Sequence, residues 1–229
     1  MEEAVKSINE QLKTIIIEDQ QLGIDLIRQC LTDKFELVAT CQTIKEGWKA
    51  FEKHQPEAVI LDIELPDGSG LDLANRMLKV NPKLRILGVS GRTDEYTLYR
   101  VFMTGLFGFV DKNTESIEEL KKAVAQMGEG NCYYAATVQQ NMLIQKTDPN
   151  AFSKILTERE QELMRYIGAG ASNERIAEQL NLRPVSVQNH KARIMRKLNL
   201  HTTVDLIRYA MQKGFVNQTD FQNPDKDRK

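Results

Sequence analysis

Residues 59–73 read VILDIELPDGSGLDL, and the fold class of the first domain can be inferred from them. It opens on Val59, Ile60 and Leu61, an apolar run typical of a strand covered on both faces. Asp62 ends the run, and a segment of helical periodicity, 70–80, follows it. The stretch is thus a buried strand and a helix, with a carboxylate at the carboxyl end of the strand.

The same alternation extends in both directions from this stretch. Between Lys13 and Met127, five apolar runs each precede a segment of helical periodicity: TIIIED, FELVAT, EAVILD, LRILGVS and LFGFVD. Strands that alternate with helices predict a five-stranded, doubly wound parallel sheet with helices on both faces. We therefore expect an α/β domain over 13–130. In such sheets ligands bind at the carboxyl ends of the strands, so the residues there are the candidate site.

The second half of the chain predicts a different class of domain. Residues 131–150 are polar and rich in turn formers, which is typical of a linker. Thr157 and Glu160 have the spacing of a capping box at a helix start. Short helices joined by tight turns predict a four-helix, all-α helix-turn-helix bundle over 151–216. Residues 217–229 have little apolar surface to bury, and we expect a disordered tail.

Composition limits the class of protein. Hydrophobic residues make up 41% and charged residues 28% of the 229 residues, as in ordinary globular proteins. No apolar run approaches the roughly 20 residues that span a bilayer, and the amino terminus does not resemble a signal peptide. We therefore expect a cytoplasmic protein without a membrane partner. Cys30, Cys41 and Cys132 are far apart in sequence, which predicts free thiols.

Charge is divided unevenly along the chain. Residues 151–216 contain 11 Lys and Arg against 6 Asp and Glu, whereas residues 1–150 contain 17 against 23. A basic domain attracts a polyanion and an acidic one attracts cations. The two halves are therefore expected to have different partners.

Polar residues end four of the five predicted strands or follow them directly. Glu18 and Asp19 follow the first strand, Asp62 the third, Ser90 the fourth and Lys112 the fifth. Clustered carboxylates repel one another unless a cation lies among them, and a hard ion with oxygen ligands predicts Mg²⁺. Carboxylates, a divalent ion, an ammonium and a hydroxyl are the groups that phosphoryl transfer requires. A carboxylate can also be the covalent acceptor.

On these residues the first half resembles the receiver domain of two-component response regulators. The resemblance covers roughly 13–127. It implies that Asp62 is the phosphoacceptor and that Lys112 contacts the phosphoryl group. It also implies that Ser90 and Phe109 form the switch. Mg²⁺ would be held by Glu18, Asp19, Asp62 and the backbone carbonyl of Glu64.

The helix predicted over 184–198 has one apolar stripe and one polar, basic face. Lys and Arg attract phosphates, and Asn and Gln can form bidentate hydrogen bonds with adenine in the major groove. When this helix is considered alone, the alternative interpretation is a basic face that is solvated and binds no DNA. The candidate DNA-contacting residues are Ser186, Gln188, Asn189, His190, Lys191, Arg193, Arg196 and Lys197. Of these, His190 is expected to be mainly structural, packing or bonding within the domain.

The wider segment from Leu156 to Gly214 resembles the LuxR-type helix-turn-helix. Together with the receiver, it is similar to the NarL/FixJ class of response regulators, in which 184–198 would be the recognition helix. Gln188 and Asn189 depart from the more usual Lys and Thr, and Arg183 replaces a common capping Ser. These departures put the target sequence, though not the fold, in question.

The prediction is a DNA-binding transcription regulator controlled by phosphorylation of Asp62, and not an enzyme beyond that self-modification. Its expected partners are double-stranded DNA, a sensor histidine kinase or small phosphodonor, and a second copy of the chain when phosphorylated or DNA-bound. In one alternative the chain binds DNA constitutively or under control by another protein, and the acidic pocket is not used. Another is a magnesium-dependent phosphatase with Asp62 as nucleophile, for which Glu64 replaces the usual acid/base Asp.

Overall fold

The computed structural model describes residues 11–113 and 116–216, which form two compact units. One unit contains residues 11–93 and Arg100–Gln139, and the other contains Asp94–Tyr99 and residues 140–216. The strands in chain order are β1 (Leu12–Ile17), β2 (Phe35–Cys41), β3 (Ala58–Asp62), β4 (Glu64–Leu65), β5 (Gly68–Ser69), β6 (Arg85–Ser90), β7 (Gly108–Asp111) and β8 (Tyr133–Tyr134).

Helices follow the main strands and then make up the carboxyl-terminal half of the described chain. They are α1 (Gln21–Cys30), α2 (Ile44–His54), α3 (Gly70–Val80), α4 (Glu95–Thr104), α5 (Ile117–Glu129), α6 (Ala136–Thr147), α7 (Phe152–Ile155), α8 (Glu158–Gly168), α9 (Asn173–Gln179), α10 (Pro184–Lys197) and α11 (Thr203–Gln212). None of the helices in the described ranges is both long and apolar enough to cross a bilayer.

The main sheet is parallel and has the order β2-β1-β3-β6-β7-β8. The chain moves outward from β1 to β2 and then returns past β1 to β3, so the winding order reverses between β1 and β3. A reversal of this kind opens a crevice at the carboxyl ends of the two strands. The predicted parallel α/β fold is confirmed.

The sheet has six strands where the sequence predicts five. The sixth, β8, is two tyrosines that pair with Gly108 and Phe109 of β7. A strand of two residues is too short to produce an alternating pattern, so periodicity cannot detect it. The predicted linker, 131–150, also contains α6, whose polar sequence has no internal Gly or Pro to interrupt a helix.

Burial explains why the central strands are continuously apolar. Ile15, Ile16 and Ile17 of β1 are fully buried, and so are Val59 and Ile60 of β3. Helices cover both faces of a parallel sheet, so neither face can be polar without losing hydration. The strand ends are consequently fixed in position by a rigid core.

The helical unit contains the four predicted helices and the short α7 ahead of them. Thr157 and Glu160 form the predicted capping box at the start of α8. Phe152 and Phe215 pack edge to face in the core, with 5.2 Å between ring centroids. The all-α class of this unit is confirmed. The predicted tail, 217–229, lies outside the described residues.

Candidate functional site

Two neighbouring strands bring the acidic residues together. Ile17 pairs in register with Leu61, so the residues that follow them, Glu18 and Asp62, lie side by side. Asp19 comes next along the chain from Glu18. The carboxylates therefore meet at the crevice where the winding order reverses, as expected from their places at the strand ends.

Lys112 completes this cluster from β7. Its ammonium donates to one carboxylate oxygen of Asp62 and to one of Glu18, each at 2.7 Å. The other oxygen of Asp62 accepts the backbone N–H of Glu64 at 2.9 Å. The side chain of Asp62 is 7% exposed and that of Lys112 is 32% exposed. Asp62 is thus held in one orientation while the cluster stays open to solvent through the Lys112 side.

Burial and charge shift the ionisation of this cluster. Burial raises the pKa of Glu18, and the nearby Asp62 carboxylate raises it further, against hydrogen bonding and attraction from Lys112. Burial alone would lower the pKa of Lys112, but the Asp62 and Glu18 carboxylates outweigh it and raise that pKa. Lys112 is therefore a charged ammonium at neutral pH.

The donor set fits a divalent cation. Glu18, Asp19 and Asp62 each offer an oxygen, and these ligand atoms lie within 4.8 Å of one another. Three carboxylates against the single ammonium of Lys112 leave an excess of negative charge, and hard oxygen donors are the ligands that Mg²⁺ prefers. This acidic cluster is able to hold a metal ion.

The remaining predicted receiver residues lie on the strands next to the cluster. Ser90 ends β6 and is fully buried, and its hydroxyl accepts the backbone N–H of Arg92 at 3.0 Å. Phe109 is fully buried in β7. Glu64 is exposed and begins a two-stranded hairpin formed by β4 and β5 directly after Asp62. The structure thus brings Glu18, Asp62 and Lys112 into contact and places Ser90 on the strand beside Asp62.

Two glycines near the cluster are required by close packing. A Cβ on Gly70 would lie 2.1 Å from the backbone oxygen of Asp62, and a Cβ on Gly23 would lie 2.6 Å from the carboxylate carbon of Glu18. At Gly70 the clash is with backbone, so only hydrogen fits there, whereas a Cβ at Gly23 would displace the Glu18 side chain. Neither requirement is visible in the sequence, because each depends on a contact with a different element.

Asp67 is a further residue that sequence reasoning missed. Its carboxylate accepts the backbone N–H groups of Ile44 and Lys45 at 2.8 and 3.1 Å. These are unpaired amides at the start of α2, where a negative charge is also favoured by the helix dipole. Asp67 therefore ties the hairpin that follows Asp62 to α2. The Pro66-Asp67-Gly68 turn was the only signal in the sequence.

The second candidate site is the polar face of α10. Gln188, Asn189, Arg193 and Arg196 are exposed, and Ser186 is half-buried. Val187 and Ile194 are buried on the opposite face, where they join the core of the helical unit. This arrangement presents amides and guanidinium groups to solvent, as the helical pattern predicts.

Three other predicted DNA-contacting residues have different surroundings. Lys191 is 9% exposed and lies on the buried stripe with Val187 and Ile194. Nδ1 of the half-buried His190 is buried without a hydrogen-bond partner among the described residues. Lys197 donates to the buried carboxylate of Glu160 at 2.6 Å. Lys191 and Lys197 are therefore engaged within the helical unit, by packing and by an ion pair respectively.

Two family models match the chain in the order of its two units. The model described as "Response regulator receiver domain" matches residues 14–125. The model described as "Bacterial regulatory proteins, luxR family" matches residues 154–210. The matched ranges contain the acidic cluster and α10, respectively.

Relatives align with the chain over nearly their whole length. The chain is 31% identical to the oxygen regulatory protein NreC of Staphylococcus carnosus, in an alignment that covers 90% of this chain and 100% of that protein. It is 30% identical to the nitrate/nitrite response regulator protein homolog of Haemophilus influenzae, over 86% of this chain and 95% of that one.

Solved structures share the fold. RcsB of Salmonella enterica serovar Typhimurium, bound to a promoter in the presence of the phosphomimetic BeF3⁻, aligns with a TM-score of 0.61 at 21% identity, over 87% of this chain and 98% of that one. A structure of two RcsB dimers bound to two parallel DNAs aligns with a TM-score of 0.58 at 21% identity, over 89% of this chain and 99% of that one. The chain belongs to the response regulators, and it is a DNA-binding transcription regulator with a receiver domain and a LuxR-type helix-turn-helix rather than a classical enzyme.

Proposed function

We propose that Asp62 is the covalent phosphoacceptor and that its phosphorylation controls DNA binding by α10. The observation that supports this is the contact of Lys112 with both Asp62 and Glu18 at 2.7 Å, in a crevice that contains three carboxylates. A lysine held at a buried carboxylate can neutralise a phosphoryl group that arrives there.

In the proposed reaction a carboxylate oxygen of Asp62 attacks phosphorus and forms an acyl phosphate. The bond from phosphorus to the donor breaks, and its electron pair leaves on the donor, a kinase imidazole nitrogen or the carboxylate of a small phosphodonor. The Lys112 ammonium balances charge on the transferred oxygens, and the Glu64 N–H fixes the Asp62 carboxylate. Hydrolysis of the acyl phosphate would return Asp62 to its initial state.

We assign the cation of this site as Mg²⁺, held by Glu18, Asp19, Asp62 and the backbone carbonyl of Glu64. When bound, it would supply positive charge to the phosphoryl oxygens and relieve repulsion among the carboxylates. Ser90 and Phe109 are assigned as the switch because Ser90 ends β6, which pairs with β3, and Phe109 lies within β7, which pairs with β6. Ser90 would donate its hydroxyl to the phosphoryl group.

Phosphorylation with acetyl phosphate and Mg²⁺ tests the acceptor. Intact-mass analysis should show one added phosphoryl group on the wild type, none on Asp62→Asn, and one on the matched control Asp33→Asn, which changes an exposed aspartate. Continuous release of phosphate from varied phosphomonoesters would instead favour the phosphatase alternative. Phosphorylation of Asp62→Asn at the wild-type level would exclude Asp62 as the acceptor.

We propose that α10 enters the major groove of double-stranded DNA through the exposed residues Gln188, Asn189, Arg193 and Arg196. Their amides would contact bases and their guanidinium groups phosphates. Ser186, His190, Lys191 and Lys197 stay in the proposed interface, although the last two also have partners or packing within the unit. Selection from a random DNA library, with and without phosphodonor, tests the site and its dependence on phosphorylation together.

The proposed assembly on DNA is a homodimer. On α11, Val204 is 63% exposed and Met211 is 56% exposed, an apolar surface that a second copy can cover. Two recognition helices related by a twofold axis would select an approximately palindromic site. A sensor histidine kinase is the proposed phosphodonor, and the cytoplasm is the proposed compartment because the target is chromosomal DNA.

A further inference from the structure

One contact joins the recognition helix to the helix before it. The side-chain N–H₂ of Asn173, the first residue of α9, donates to the side-chain oxygen of Gln188 on α10 at 2.9 Å. Asn173 is half-buried and Gln188 is exposed. The contact therefore connects a side chain fixed at a helix start to one that faces solvent.

Asn173 is well placed to fix the amide of Gln188. The hydroxyl of Ser172 accepts the backbone N–H of Arg175, which caps α9 directly before Asn173. The side-chain oxygen of Asn173 is buried and has no hydrogen-bond partner among the described residues. Because this side chain is enclosed on its oxygen side, its N–H₂ group is directed at Gln188.

The direction of this hydrogen bond determines what Gln188 can offer to DNA. A free glutamine can turn its amide either way and can bind adenine through both its oxygen and its N–H₂. Here the hydrogen bond from Asn173 turns the oxygen of Gln188 toward α9. The N–H₂ group, which has no partner among the described residues, is left to point outward as a donor.

We infer that Asn173 is a positioning residue that orients the Gln188 amide as a hydrogen-bond donor, and that the pair selects guanine. Guanine presents two acceptors, N7 and O6, on its major-groove edge, whereas adenine presents one acceptor and one donor. A pre-oriented amide also loses less rotamer entropy on binding than a free one. This inference rests on the proposed role of α10 as the recognition helix, and it names the base that one residue of that helix reads.

The substitution Asn173→Asp reverses the polarity of the contact. A carboxylate accepts and cannot donate, so the Gln188 amide should turn its N–H₂ toward it and expose its oxygen to the groove. An exposed oxygen selects a base with an amino group, cytosine or adenine. A carboxylate is favoured in the first turn of a helix, so the variant should remain folded.

The test is selection and quantitative binding of full-length protein on a random DNA library. At the base position that Gln188→Ala renders neutral, the wild type should prefer guanine, and Asn173→Asp should shift the guanine-to-cytosine ratio by about tenfold toward cytosine. Asn173→Ala should reduce the preference without reversing it. The control is Asn150→Asp, the same isosteric change at an exposed position before α7, which should leave the preference at this base unchanged.

A double variant separates positioning from direct contact. In the Gln188→Ala background, Asn173→Asp should have no further effect on the preference at that base. If it changes the preference equally in both backgrounds, Asn173 contacts the base itself and the inference is wrong. A wild type that prefers cytosine or adenine at this base, or an Asn173→Asp variant with unchanged preference, also overturns it while leaving the recognition helix in place. Absence of any sequence preference in the wild type would overturn both this inference and the proposed function.

Discussion

The ammonium of Lys112 lies 2.7 Å from a carboxylate oxygen of Asp62. The two residues are 50 positions apart in sequence and come from the ends of strands that are not neighbours in the sheet. The pair therefore links the proposed phosphoacceptor to β7, on which Phe109 also lies. A negative charge added to Asp62 would therefore interact directly with the Lys112 ammonium.

The substitution Lys112→Met should destabilise the protein most when no divalent cation is present. It leaves the buried Glu18 and Asp62 carboxylates without a counter-charge, at an expected cost of roughly 2 kcal/mol in the free energy of unfolding. This is less than the full cost of breaking a buried pair because one third of the Lys112 side chain is exposed.

Urea unfolding of the receiver domain, measured with and without Mg²⁺, tests this prediction. Mg²⁺ should reduce the loss, and the exposed control Lys122→Met should show little loss in either condition. Equal destabilisation in both conditions would contradict the proposed metal site.

Alanine at the two close-packed glycines should separate folding from metal binding. Gly70→Ala places a Cβ against the backbone oxygen of Asp62, which cannot move without distorting β3, so we expect a loss of about 2 kcal/mol or more in stability. Gly23→Ala meets the flexible Glu18 side chain instead. It should cost less stability and should displace that carboxylate.

Thermal unfolding and Mg²⁺ titration of the two variants check this contrast. Gly23→Ala should keep a melting temperature closer to that of the wild type than Gly70→Ala does, and it should bind Mg²⁺ at least several-fold more weakly. Unaltered Mg²⁺ affinity in folded Gly23→Ala would show that the position of Glu18 does not matter for the metal.

Lys197 and Arg193 are both basic residues of α10, but their substitutions should have different consequences. Lys197→Met leaves the 3% exposed Glu160 carboxylate without its ammonium partner, so we expect a loss of roughly 2 kcal/mol in the free energy of unfolding. Thr157 still donates to that carboxylate and limits the loss. Arg193→Met removes an exposed charge and should leave stability nearly unchanged.

DNA binding measured as a function of salt concentration completes this comparison. Arg193→Met should weaken binding to all sequences and reduce the slope of log affinity against log salt by about 1, as expected for one lost phosphate contact. A Lys197→Met variant that keeps full stability and loses one unit of slope would instead make Lys197 a phosphate contact and not a structural one.

The buried Lys191 predicts a pH dependence of stability. Burial lowers its pKa from 10.5, although attraction from Glu174 opposes the shift. The unfolded chain therefore holds this proton more tightly than the folded one. The resulting penalty is fully present below the folded-state pKa and is lost as pH rises toward 10.5.

The substitution Lys191→Met should accordingly raise the free energy of unfolding at neutral pH, by roughly 1 kcal/mol, because an apolar side chain replaces a desolvated charge. The gain should shrink as pH is raised in a series of urea unfolding measurements. The exposed control Lys154→Met on α7 should show neither the gain nor its pH dependence. A stabilisation that stays constant with pH would point to packing alone.

Local patterns made some features predictable and left others out of reach. The strand-end position of Asp62 follows from an apolar run and needs no knowledge of neighbours. That Asp62 and Lys112 lie at the same edge of the sheet was predictable, because parallel strands end at a common edge. Their direct contact depends on how the sheet is wound. By contrast, β8 has two residues and no periodicity, so the sequence predicted five strands where the sheet has six.

The basic helix illustrates the same limit within one element. Its apolar stripe and polar face follow from helical spacing, and so does the exposure of Arg193 and Gln188. That spacing did not separate Lys191 or Lys197 from the exposed basic residues, because the burial of one and the pairing of the other with Glu160 depend on helices packed against α10.

The two classes of domain, the order of the main elements and the residues at the strand ends could all be predicted, because each of these depends on periodicity and residue type along a local stretch. The three-dimensional packing was needed to show that Lys112 bonds both Glu18 and Asp62, that Gly70 admits no Cβ, and that Asn173 donates a hydrogen bond to Gln188. These contacts join residues brought together by packing, and distances between packed elements are not encoded in any local pattern.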